Sequence, residues 1–146
     1  MTRRVLFGAV AVVCMLSSGL LYANNQKNTF IGSIGFGSTC GPFIAADGPL
    51  DVMVQTNTNG ASPLASVHLR WKMNGSDQKG NLYSGSFMGN GTFSAARGPY
   101  DLPYHAVMVG KGNVPNVRFE GNIRVFVTPG GFPAGAIITT LSATCQ

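Results

Sequence analysis

From residue 25 onward, apolar and polar side chains alternate along short stretches of the chain. Over 66–73, Val67, Leu69, Trp71 and Met73 fall on one face of an extended backbone, and His68, Arg70 and Lys72 fall on the other. That spacing predicts a half-buried strand. Further runs with strand character occupy 50–56, 82–88, 92–95, 104–109, 117–119, 123–128 and 136–144. Between them stand Asn59-Gly60, Asn74-Gly75, Asn90-Gly91, Gly98-Pro99, Glu120-Gly121-Asn122 and Pro129-Gly130-Gly131, all read as turns. No window carries an apolar repeat of 3.6 residues, so helices are minor at most. Seven to nine short strands without helical crossovers predict an all-β fold, an immunoglobulin-like β-sandwich, with a small closed barrel as the alternative.

The first residues follow a different pattern. Thr2-Arg3-Arg4 is followed by an apolar run over 5–16 and then by small and apolar residues ending in Leu21-Tyr22-Ala23. A charged start, a greasy middle and a small-residue end predict a secretory signal peptide over 1–23, cleaved after Ala23. A membrane anchor fits less well: the run is shorter than the roughly 20 apolar residues a bilayer requires, and Ser17-Ser18-Gly19 interrupts it. The expected product is exported to an oxidising compartment and has no transmembrane segment. It is one domain, divided into an N-terminal extension or first strand over 24–39 and a β-domain over 40–146.

Cys14 leaves with the leader, so the processed chain keeps Cys40 and Cys145. An even number of cysteines in an oxidising compartment predicts that they pair, the alternative being free or intermolecular thiols. A bridge closing so long a loop restricts the unfolded chain by about 4 to 5 kcal/mol. After cleavage eight basic side chains stand against five acidic ones, several of the basic ones at alternate strand positions. That is a solvated sheet face, and it argues against nucleic acid as a partner.

Residues 28–39 form the most informative stretch. Phe30, Gly32, Ile34 and Phe36 share one face of an extended chain, while Thr29, Ser33, Gly35 and Gly37 mostly share the other. An amphipathic strand here is either the first strand of the domain's own sheet or a donor strand that completes a neighbouring subunit.

Alternating apolar residues with a glycine among them, ahead of an early cysteine, resemble the N-terminal extension of chaperone-usher pilins. The run Leu102-Pro103-Tyr104-His105-Ala106-Val107-Met108, with Pro133-Ala134-Gly135 leading into a Thr-rich end, is similar to the close of spore-coat-U-like (Csu-type) pilins. The chain departs from that pattern in lacking a second cysteine over 52–57 and in ending on Cys145-Gln146. The resemblance implies a fimbrial structural subunit of a surface fibre, with adhesion as an associated role. It would be held by a periplasmic chaperone, passed to an usher and joined to like subunits by donor-strand complementation through Phe30, Gly32, Ile34 and Phe36. Read without the resemblance, the residues suit a self-contained secreted binding module or inhibitor locked by Cys40 and Cys145.

Enzyme chemistry is thinly represented. Asp47 and Asp51 flank a Gly-Pro step that reads as a loop, and neither His68 nor His105 has a cysteine or carboxylate at ligand spacing. No catalytic set, metal site or cofactor is predicted. The aromatic residues Trp71, Tyr83, Phe87, Phe93, Tyr100 and Tyr104 are expected to fill the core rather than to line a ligand patch.

Overall fold

The computed structural model describes residues 12–13, 25–39, 41–57, 64–94 and 98–146. These form strands and turns only: β1 (Val12–Val13), β2 (Asn25–Ser38), β3 (Gly41–Asn57), β4 (Leu64–Asp77), β5 (Leu82–Phe93), β6 (Tyr100–Gly110), β7 (Val117–Val127) and β8 (Pro133–Cys145). Every strand pairs antiparallel with its neighbours in sequence, giving one sheet in the order β1 to β8. The all-β expectation holds. The strands form a single curled meander, with chain neighbours as hydrogen-bonded neighbours throughout, whereas a sandwich divides its strands between two sheets.

Alternation drives the curl. In β4 and β6 every second side chain is buried, so each strand turns one apolar row inward. One continuous core results, containing Phe30, Ile34 and Phe36 of β2, Leu50, Val52 and Val54 of β3, Val67, Leu69, Trp71 and Met73 of β4, and inward residues of β5 to β8. Rings run round the interior in sequence: Trp71 meets Phe87 at 6.4 Å between centroids, Phe87 meets Tyr104 at 4.8 Å, Tyr104 meets Phe119 at 6.1 Å, and Phe119 meets Phe36 at 5.3 Å. The last contact joins β7 to β2 across the line where the sheet closes on itself. Trp71, Tyr83, Phe87, Tyr100 and Tyr104 are buried, and Phe93 packs partly buried against them.

The strands are longer than the sequence pattern suggests. Asn74-Gly75, Asn90-Gly91 and Glu120-Gly121-Asn122, read above as turns, lie inside β4, β5 and β7, and Gly48-Pro49 lies inside β3. A tightly coiled sheet brings backbone and side chains too close for a Cβ at such points. At Gly91 a methyl group would strike Leu102 Cδ2, and at Gly121 it would strike the carbonyl oxygen of Thr140. The glycines therefore mark bends within strands.

Two hairpins turn by one shared device. Between β4 and β5, Gly80 N–H donates to Asp77 O at 3.0 Å and Asp77 N–H to Asn81 O at 3.0 Å. Between β7 and β8, Gly131 N–H donates to Thr128 O at 2.8 Å and Thr128 N–H to Phe132 O at 2.8 Å. Gly80 and Gly131 both take φ of 82°, the left-handed position that such three-residue loops reserve for glycine. The side chain opening each turn secures it. Asp77 accepts from Lys79 N–H at 2.8 Å and Asn81 N–H at 2.9 Å, and Thr128 Oγ1 accepts from Phe132 N–H at 3.1 Å.

Candidate functional site

The residues expected to enter a neighbour's groove are seated in their own chain. Phe30, Ile34 and Phe36 are 4%, 3% and 1% exposed, and β2 pairs with β3 from Asn25↔Gln55 to Ser38↔Gly41, with one irregularity between Phe36 and Ser38. Gly32 is buried opposite Gly48, and the indole of Trp71 lies across both. A Cβ built on Gly32 would stand 2.6 Å from Trp71 Cζ2, while Trp71 Nε1–H donates to Gly48 O at 3.0 Å. The glycine set for the tightest point of a groove thus accommodates a tryptophan of the same chain. On the outer face, Thr29 Oγ1–H donates to Asp51 at 2.6 Å and Lys27 lies 3.5 Å from the same carboxylate. The Thr29 hydrogen bond, with Lys27 and Arg70 behind it, holds the Asp51 carboxyl below the usual carboxylate range despite partial desolvation.

Six antiparallel steps separate β2 from β8, so these two strands run parallel where the curled sheet meets itself. Among the described residues no strand ladder joins them. Asn28 Nδ2–H bridges the seam to Pro133 O at 3.2 Å, and the Phe36–Phe119 ring contact lies beneath it. Cys145, at the far end of β8, is disulfide-bonded. Its expected partner, Cys40, lies outside the described residues, as does the expected cleavage point at Ala23.

The outer wall carries a shallow depression of about 380 Å³ over β5, β6 and β7. It forms where the β5–β6 ladder lapses beyond Met88↔His105, since Pro103 has no N–H to offer β5. Met88, Asn90, Pro103, His105, Arg118 and Glu120 line it. His68 Nδ1 and Asn90 Oδ1 lie 2.8 Å apart beside it, and Arg118 stands 3.7 Å from Glu120. The alternation pattern places these side chains outside, but where the ladder lapses is invisible in it.

Other polar groups serve the framework. Arg124 grips Asp101 through two hydrogen bonds of 2.8 and 2.9 Å, which holds the Asp101 carboxyl below its ordinary range. Burial would raise the Asp77 carboxyl, but hydrogen bonds from Asn81, Lys79 N–H and Tyr83 outweigh it and leave it lowered. Burial pushes the Tyr104 phenol well above its usual range, and its O–H donates to Thr140 O at 3.2 Å. Among the described residues no three His, Cys, Asp or Glu side chains cluster as metal ligands would, and no helix is long and apolar enough to cross a membrane.

No protein-family model, curated protein or solved structure matches this chain.

Proposed function

We propose that this chain is an exported, self-contained β-module that acts by binding rather than by catalysis, with the leader over 1–23 removed and a Cys40–Cys145 bridge tying the first hairpin to the last strand. The observation that carries this reading is the burial of Phe30, Ile34 and Phe36 in the chain's own core. A domain that completes itself needs no neighbour to fold. The depression lined by Met88, Asn90, Pro103, His105, Arg118 and Glu120 is the surface it offers to a ligand.

A second reading, a fimbrial subunit of the spore-coat-U-like type, is favoured by one specific feature. β2 lies at the parallel seam; among the described residues its long ladder is to β3, and its other edge is paired only at Ile31 and Gly32, with β1. Strand exchange could deliver the same Phe30, Gly32, Ile34 and Phe36 to a neighbouring copy and keep every contact. On this reading the curled sheet stands where those pilins have an immunoglobulin-like sandwich, a periplasmic chaperone and usher handle the subunit, and the fibre reaches the cell surface.

Deleting residues 24–36 from the processed chain separates the two. A self-contained module loses a strand of its core and unfolds, whatever the concentration. A fibre subunit becomes a truncated domain that binds a peptide of residues 24–36 and regains stability. Light scattering on the intact chain gives a monomer at micromolar concentration in the first case and ordered polymers in the second.

A further inference from the structure

An up-and-down meander closes with antiparallel neighbours throughout only when its strand number is even. Here seven long strands leave β2 and β8 parallel with no ladder between them among the described residues. The structure seats a further strand at this seam. β1 pairs antiparallel with β2 through Val12↔Gly32 and Val13↔Ile31, and it approaches β8 on its other side. A strand antiparallel to β2 is also antiparallel to β8, so β1 has the one direction that restores even closure. Its composition suits the place: Val12 and Val13 belong to the apolar run over 5–16, and Ile31, in register with Val13, is an exposed large hydrophobic residue of β2, at 63%.

We propose that the seam between β2 and β8 is a strand-accepting slot, and that its occupant in the unprocessed chain is the apolar leader around Val12 and Val13. The leader then has a second role besides addressing the chain for export. It covers the β2 edge at Ile31 and Gly32, an edge that would otherwise template pairing with other chains. Its removal uncovers that edge. This inference rests on the seam and its occupant, and it stands whether or not export follows.

The test uses the full chain, refolded under oxidising conditions with the leader uncut, and compares it with a Val12→Pro, Val13→Pro variant, since proline cannot donate to a ladder and β2 to β8 are untouched. Residue-resolved amide exchange is read at Ile31 and Gly32, with Val67 in β4 as the internal reference. The expected result is faster exchange, on the order of tenfold, at whichever of the two amides faces β1, with Val67 unchanged. A peptide of residues 8–17 added to the variant restores the protection. Equal exchange at Ile31 and Gly32 in the two chains, or a loss that the peptide fails to restore, would overturn the proposal.

Discussion

The indole of Trp71 in β4 crosses over β3 and comes to rest against the backbone of Gly32 in β2, leaving no room for a side chain at that position. Three strands are locked by this one contact. Gly32→Val therefore forces the ring out of place and costs about 1 to 3 kcal/mol by overpacking. Trp71→Phe frees the space but loses the bond to Gly48. Urea unfolding of both single variants and the double variant checks the relationship: the two changes are expected to cost less together than their sum, because the smaller ring admits the valine. Strict additivity would mean that the residues do not meet.

The β4–β5 turn gives the protein an acid sensitivity. The folded Asp77 carboxyl titrates below its unfolded value of about 3.9, so its contribution to stability is fully present above that value and is lost as pH falls through the folded value. Asp51 and Asp101 act in the same direction. The melting temperature is expected to be level between about pH 7 and pH 5 and to fall below about pH 4. Asp77→Asn should lower it at neutral pH and make the acid decline shallower, a comparison that thermal melts at several pH values make directly.

The disulfide at Cys145 closes the end of the last strand, beside a seam where, among the described residues, no ladder joins β2 to β8. Its loss is expected to cost about 2 to 5 kcal/mol. Melting with and without reductant, and of Cys145→Ser, measures this. Identical curves would show that the bridge has no part in holding the closed form.

Much of this fold is written in the alternation of side chains. Val67, Leu69, Trp71 and Met73 point inward as their spacing predicts, and Pro129-Gly130-Gly131 turns the chain where a turn is expected. The strand boundaries were less legible. Asn-Gly is the strongest short hairpin signal in a flat sheet, but in this coiled one Asn90-Gly91 sits within β5, where Gly91 makes way for Leu102. Reading such glycines as turns shortens the strands and hides the meander.

The amphipathic face of Phe30, Gly32, Ile34 and Phe36 was also plain in the sequence. Alternation says that such a face must be covered, and says nothing about whose sheet covers it. The identity of that partner emerges only from Trp71 above Gly32 and Phe119 beside Phe36, contacts between residues far apart in the chain. The outer depression was illegible for a related reason: it depends on where two strands part, which is set by Pro103 together with the curl of the whole sheet.

β2 lies in its own chain's core, where Phe36 meets Phe119 at 5.3 Å between ring centroids, and that ring pair distinguishes an own strand from an exchanged one. Isotopically labelled and unlabelled chains are unfolded together, refolded as a mixture and examined by isotope-filtered NOE spectroscopy. Phe36–Phe119 cross-peaks are expected within labelled chains and none between labelled and unlabelled ones. Cross-peaks between the two kinds of chain would place β2 in a neighbour and contradict it.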